Sequence, residues 1–201
     1  LENATVLASQ MTMFGDVSVN YFGAGSKFGS TGAVSLTVKS IDMGDIPITT
    51  VEAMDGTGST FTPNMTTMAL TYANAFSDKA RFGISVKSIT ESIPRASASA
   101  VALDAGVQYE NLNDIEGLGI ALALKNIGTD MHYEGSGLTT MASEDNLEDF
   151  YNVESSYDKL PSTFDMAVSY KVAGATLAAA YTSHNFRYDD LALGAEYELM
   201  N

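Results

Sequence analysis

Apolar and polar residues alternate along most of this chain, in segments of about ten residues separated by clusters of Gly, Asn, Asp, Ser or Pro. A period of two predicts β-strands, because successive side chains of a strand point to opposite faces of the sheet. Nine segments alternate in this way, and they cover residues 15–22, 31–42, 65–76, 81–92, 99–110, 117–127, 162–173, 175–184 and 189–200.

The two faces of these predicted strands differ in chemistry. The residues expected on an apolar, outward face include Val101, Leu103, Leu118, Ile120, Leu122, Met166 and Val168. The residues expected on the opposite face, directed into a lumen, include Asp104, Gln108, Lys125, Asp165 and Lys171. This second face mixes Ala, Gly and Ser with charges of both signs, which favours the crowded interior of a closed barrel. The alternative is a soluble β-sandwich, although its water-facing side would be richer in Lys, Glu and Thr.

The connections between the segments alternate between short and long. Short turns are expected at 77–79, 111–116 and 173–174, and longer links at 43–64, 93–98, 128–161 and 183–188. Short turns on one rim and long loops on the other are typical of outer-membrane barrels. Four tyrosines then lie on the apolar face near the short-turn rim, as an aromatic girdle would: Tyr72, Tyr109, Tyr170 and Tyr197.

The fold class that follows is all-β, an antiparallel up-and-down transmembrane β-barrel, with residues 1–201 forming a single domain. Single-chain bacterial barrels have even strand numbers, so a count of nine indicates that strands are missing or that one strand is uncounted. The opening residues show neither a signal peptide nor an initiating Met. We therefore expect an N-terminal segment and some strands of the barrel to lie outside this chain.

Composition narrows the function classes. No stretch approaches the roughly 18 consecutive apolar residues that a membrane-spanning helix requires, whereas a barrel places only alternate residues against lipid. The formal net charge of −15 argues against nucleic acid as a partner. Cysteine is absent, which excludes disulfides and thiolate metal sites.

Candidate chemistry is sparse. The two histidines, His132 and His184, lie in or beside predicted loops, and no nucleophile elbow, zinc-protease or phosphate-loop motif occurs. An acidic cluster at 144–149 does not match the spacing of a calcium loop. It is interpreted as a solvated charge run, and the alternative is a cation site or an electrostatic docking face. A short helix is expected around 145–153. The prediction is that the protein is not an enzyme and has no cofactor or metal.

The two longest links carry an unusual apolar load for loops in water, which marks interfaces. The candidate partner-binding residues in these loops are Ile46, Ile48, Phe61, Tyr133, Leu147, Phe150 and Tyr151. The alternative, which does not exclude the first, is that both loops fold over the barrel mouth and bury these residues on each other.

Several runs resemble a known family. Residues 44–50 followed by 56–58 resemble the first long loop of PorV/PorQ-family proteins. Residues 71–89 and 96–109 are similar to a hairpin of that family, 124–135 to its next strand end, and 191–199 to a later strand. The resemblance covers most of residues 30–200. The chain lacks the Gly/Ala-rich N-terminal segment and the closing strands of the family.

The resemblance implies a FadL-like barrel in the outer membrane of a Gram-negative bacterium. It also implies a non-enzymatic role in type IX secretion. In that system, members of the family bind secreted cargo, associate with the translocon and deliver cargo to the surface attachment machinery. The expected partners are therefore outer-membrane lipid, the translocon and cargo proteins. The alternative function is a FadL-like transporter of hydrophobic small molecules, and a soluble adhesin-like β protein is a third class.

Overall fold

A computed structural model of the chain describes residues 4–29, 32–144 and 147–197. Its strands in chain order are β1 (Ala4–Thr12), β2 (Ser18–Phe28), β3 (Gly32–Asp42), β4 (Ile46–Pro47), β5 (Thr60–Phe61), β6 (Asn64–Ala75), β7 (Ala80–Ile93), β8 (Ala96–Glu110), β9 (Leu118–Gly128), β10 (Met131–Glu134), β11 (Thr139–Glu144), β12 (Leu147–Asn152), β13 (Tyr157–Asp158), β14 (Thr163–Val172), β15 (Ala175–His184) and β16 (Asp190–Tyr197). Among the described residues, no helix is long and apolar enough to cross a membrane.

The long strands form one antiparallel sheet in the order β1-β2-β3-β6-β7-β8-β9-β14-β15-β16, with β10 and β13 attached beside β8. An all-β antiparallel fold is therefore confirmed, and each of the nine predicted segments overlaps a strand of this path, although the segment 15–22 covers only the first part of β2. The strand that the alternation misses is β1, in which Val6 and Leu7 place apolar side chains on both faces. In the described part of the chain, the edge strands β1 and β16 are not paired with each other.

The cross-strand register carries the two faces through the whole sheet. The apolar face, defined as the face of Val101 and Leu103, is exposed: Val101 is 52% and Met166 45% accessible. No second sheet lies over this face within the described residues, whose other sheets are the two-stranded β4–β5 and β11–β12. The second large sheet that a soluble sandwich requires is not present among the described residues. The two predicted sets of residues do lie on opposite faces of this sheet, and the assignment of one face to lipid and the other to a lumen stays a prediction.

The apolar face ends in two polar rows at one end of the sheet. The first row consists of the cross-strand partners Gln10, Asn20, Ser40, Thr66, Thr90 and Ser99, and the second of Thr12, Ser18, Asp42, Asn64, Ser92 and Ser97. This is the end where β3–β6 and β9–β14 are joined by long connections, and we call it the long-loop end. The opposite end, where β6–β7 and β14–β15 turn, is the short-turn end.

The four tyrosines lie on the apolar face near the short-turn end, and they step across the rows of the sheet. The cross-strand row of Tyr72 meets β8 at Ala105, and Tyr109 lies four residues from there toward the short-turn end. Tyr170 lies two residues further in the same direction than the row of Tyr109. Tyr197 lies two residues further again than the row of Tyr170. The total displacement is eight residues across six strand-to-strand steps. The tyrosines thus follow a line that is inclined to the rows, always in the same direction.

Two expectations about connections are wrong. The link at 93–98 is a two-residue turn, in which Ile93 pairs with Ala96, so short and long links do not alternate strictly. Pro94 fixes its own φ and Arg95 adopts a φ of 66°, which together close the hairpin tightly.

The helix expected around 145–153 is also wrong: β12 pairs with β11 from Leu147 to Asn152, while residues 145 and 146 lie outside the described residues. In a helix, Glu144 with Glu148 and Asp145 with Asp149 would be like charges four residues apart, which is unfavourable.

The strand ladder is interrupted between two neighbouring strands near the long-loop end. β9 and then β10 run beside β8, while β14 pairs with β9 and β13 with β10. Between the pair Lys125–Thr163 and the pair Met131–Asp158, no ladder pair joins the two strands in this described stretch. Asn126 takes a left-handed φ of 57°, and Pro161 has no N–H to donate, which accounts for the break.

The buried apolar cluster of the described chain lies beside this break. It consists of Ile89, Ala98, Ala100, Ala102, Met131 and Leu160, with Tyr133 packed against it. Four of these residues lie on the face opposite to Val101 and Leu103, which we call the small-residue face. The cluster is thus a local core at the long-loop end, and most of the sheet has no covering layer.

Candidate functional site

One group of candidate residues lies on the β4–β5 hairpin at the long-loop end. Ile46 of β4 and Phe61 of β5 are direct cross-strand partners, so their side chains share one face of the hairpin. Ile46 is 41% exposed, and Phe61 is half-buried. Ile48 follows β4, and its backbone is fixed by hydrogen bonds with Ser59 and Thr57. The structure therefore brings Ile46 and Phe61 together on an ordered hairpin, where the sequence predicted a loop.

The second group lies on the β11–β12 hairpin. Phe150 is 73% exposed and pairs with Met141, which is 58% exposed, so the two form an apolar patch on one face. Tyr151, on the other face, is 49% exposed. Leu147 is the first residue of β12. We call this element the acidic hairpin, since Glu144 ends β11, Glu148 and Asp149 belong to β12, and Asp145 lies between the two strands in sequence.

Tyr133 lies elsewhere, on the small-residue face. Its side chain packs against the buried cluster, and its hydroxyl donates a hydrogen bond to the Glu91 carboxylate. This hydrogen bond, followed by burial, raises the pKa of Tyr133 to about 12. The structure therefore separates Tyr133 from the exposed candidates. Tyr133 and Met131 are packed against β7 and β8 and against Leu160, and no residue of the 43–64 link belongs to this cluster of described residues.

Charged side chains on the small-residue face are paired across strands. Lys87 contacts Asp104 at 2.6 Å, and Lys125 contacts Asp165 at 2.8 Å. Sequence reasoning missed Asn126, whose backbone N–H donates to Asp104 at 2.7 Å and whose side-chain oxygen accepts from Lys87. An Asn in the motif Asn126-Ile127-Gly128, where alternation falters, was the available signal, since Asn tolerates left-handed backbone.

The two histidines belong to hydrogen-bond networks near the long-loop end. His132 stacks on Tyr157, with ring centroids 4.5 Å apart, and its Nδ1 lies 3.0 Å from Ser155 Oγ. The Ser155 hydroxyl also donates to the carbonyl of Tyr133 and accepts from its N–H, so it braces the backbone. His184 lies 3.0 Å from Asp190. Among the described residues, no group of three or more His, Asp or Glu side chains could hold a metal ion.

Comparison with known proteins adds no assignment. No protein-family model matches the chain, and neither a curated protein nor a solved structure is similar to it. Functional inference therefore starts from two features of the fold. One is the uncovered apolar face, and the other is the set of hairpins at the long-loop end.

Proposed function

We propose that this chain is a wall of a transmembrane β-barrel in a bacterial outer membrane. The observation that carries the proposal is the apolar face, which runs across the whole sheet and is left exposed by the rest of the described chain. Leu103, Leu122 and Val168 are between 38% and 46% exposed. An apolar surface of this extent is stable when hydrocarbon covers it.

The height of the apolar band supports this proposal. On β8 the band runs from Tyr109 to Val101 and then gives way to Ser99 in the first polar row. Eight residues rise about 27 Å along a strand, or about 20 Å once the strand is tilted as in a barrel. The apolar band of outer-membrane barrels is about 25 Å tall. The polar rows then mark the upper limit of the hydrocarbon.

The line of tyrosines supports a tilted arrangement of the strands, as in a barrel. A girdle at one depth crosses tilted strands at positions that shift steadily from strand to strand. The observed shift of eight residues over six steps corresponds to a strand tilt of roughly 42°, given about 3.3 Å per residue and about 4.8 Å between strands. Barrel strands tilt by about 35–45°. Tyr72, Tyr109, Tyr170 and Tyr197 would then lie at one interface.

Within this barrel we propose a non-enzymatic role, the binding and shuttling of secreted cargo between a translocon and the surface attachment machinery. The type IX secretion system is suggested by the resemblance to the PorV/PorQ family. The structural support is the acidic hairpin, whose exposed Met141 and Phe150 form an apolar patch above the membrane band. Large apolar and aromatic side chains of this kind are common anchors of protein interfaces.

The partner-binding role is tested by a pull-down with the double variant Phe150→Ser/Tyr151→Ser and with deletion of residues 144–152. Capture of the translocon or cargo should weaken at least about tenfold, as expected when interface anchors are removed. A matched double variant at Val51 and Met54, which are 86% and 82% exposed in the other long loop, separates the two loops. Unchanged capture by a deletion variant that keeps its heat-modifiable gel migration would remove the acidic hairpin from the interface.

A second candidate function is passage of hydrophobic small molecules. It is favoured by the interrupted ladder between Lys125–Thr163 and Met131–Asp158, since a kinked strand is what a transporter of this type requires. The small-residue face of β8 and β9 offers instead Ala, Gly and paired charges, among them Lys87–Asp104. Uptake of a labelled fatty acid by vesicles that contain the full chain would favour this second function over the first.

A further inference from the structure

The small-residue face is covered at its long-loop end. There Ala98, Ala100 and Ala102 are at most 4% exposed, although the same face of β8 is open at Gln108, toward the short-turn end. The cover comes from Met131, which is 7% exposed, and Leu160, which is 6% exposed. Both cover residues come from the long excursion between β9 and β14. Met131 and Tyr133 extend over this face from β10, which pairs edge to edge with β8, and Leu160 comes from the residues that follow β13. We call these three side chains, together with residues 159–162, the cover.

Small side chains beneath the cover allow its close approach. Alanine occupies every inward position of β8 from Ala96 to Ala102, and Ile89 of β7 fills the space beside them. Gly128 ends β9 at the point where the chain turns toward the cover. A Cβ at Gly128 would collide with the carbonyl oxygen of Val101, so a larger residue would displace the junction. The close packing of the cover on the sheet therefore depends on residues of three strands, β7, β8 and β9.

Hydrogen bonds hold both parts of the cover. Asn126 Nδ2 donates to the Pro161 carbonyl at 2.8 Å, and Asn185 Nδ2 donates to the Leu160 carbonyl at 2.8 Å. The Tyr133 hydroxyl donates to Glu91 on β7. The cover is therefore tied to β7, to β9 and to the connection after β15. Ties to three separate parts of the wall restrain it more than the apolar contacts alone would.

We propose that this cover closes the long-loop mouth of the barrel lumen, so that the protein presents a sealed platform to the cell exterior instead of an open pore. The inference rests on the proposed barrel. Leu160 and Met131 pack against Ala98, Ala100 and Ala102, and the acidic hairpin lies between Met131 and Leu160 in sequence. Binding at the hairpin then proceeds without any solute pathway through the mouth beneath it.

Single cysteines test the cover directly, because the chain has no cysteine of its own. Ile89→Cys places a thiol beneath the cover without adding bulk, and Ser85→Cys places one on the same strand and face, four residues toward the short-turn end. In the detergent-solubilised full chain, a small water-soluble thiol reagent should label the Ser85→Cys variant at least about tenfold faster than the Ile89→Cys variant. Adding Leu160→Gly should accelerate labelling at position 89 and leave position 85 unchanged.

Equal labelling rates at positions 89 and 85 without the Leu160 change would overturn the cover. Liposome swelling gives the functional readout: the unmodified chain should exclude small sugars, and Leu160→Gly combined with Asn126→Gly should admit them several times faster. Sugar entry through the unmodified chain at the rate of the double variant would also overturn it. The labelling comparison is made in detergent and does not depend on a closed barrel, so failure of the cover and failure of the proposed barrel can be told apart.

Discussion

At the residue scale, the pair Lys87–Asp104 carries the most specific interaction of the small-residue face. Lys87 is 13% and Asp104 27% exposed in their side chains, and Asn126 completes the network. Half-buried charges of opposite sign stabilise each other only while both are present. Because Asn126 also donates to Pro161, this network connects the charge pair to the cover.

Lys87→Met should lower the free energy of unfolding by about 1–3 kcal/mol, because Asp104 keeps only the Asn126 N–H as its partner. The matched control is Arg81→Met, which removes the exposed pair Arg81–Glu110 and should cost less than about 1 kcal/mol. Chemical denaturation of the two variants measures the difference. Equal losses of unfolding free energy in the two variants would mean that the Lys87–Asp104 pair is no better protected from solvent than the exposed Arg81–Glu110 pair.

Tyr133 provides a pH-dependent signature of the cover. Its hydroxyl donates to Glu91 only while protonated, and its pKa is raised from 10.0 to about 12. A raised pKa means that the contribution of this bond to stability is fully present below pH 10 and is lost as pH rises through about 12. The difference in tyrosinate absorbance between the unmodified chain and Tyr133→Phe should show a step near pH 12. A step near pH 10 would place Tyr133 in water.

At the scale of elements, alternation predicted nine of the ten long strands, because half-buried strands preserve their period of two. It missed β1, where apolar residues occupy both faces, and it read residues 93–98 as a loop because a Pro-Arg turn looks like a polar linker. Alternation could not predict the break in the ladder that separates β9 from β10 and β13 from β14. That break depends on the backbone of Asn126 and on the missing N–H of Pro161, which only the paired geometry reveals.

Gly128→Ala tests the break at the end of β9. The added Cβ would meet the Val101 carbonyl, so the variant should lose about 1–3 kcal/mol of stability. Gly194→Ala in β16 is the matched control, since a Cβ there has no heavy atom within 4 Å. It should be neutral or slightly stabilising. Thermal or chemical unfolding compares them, and a neutral Gly128→Ala would show that the strand junction does not require close approach.

At the scale of the whole molecule, the sequence predicted two chemically different faces, with charges of both signs on one of them. It did not predict how the candidate site divides. The sequence predicted the same partner-binding role for Tyr133 and Phe150, because both are aromatic residues in one long loop. Their environments differ because β10 pairs with β8 and turns Tyr133 inward, while β12 pairs with β11 and leaves Phe150 outside the cluster. Pairing between distant segments decided this, and local pattern does not encode it.

The central claim is that hydrocarbon covers the apolar face, and single tryptophans test it most directly because the chain has none. Leu122→Trp places the probe on the apolar face, and Gln108→Trp places it on the opposite face of the neighbouring strand. With the chain in vesicles of bromine-labelled lipid, fluorescence from the probe at position 122 should be strongly quenched and that from the probe at position 108 hardly at all. Equal, weak quenching of both probes, with both open to a water-soluble quencher, would contradict the account.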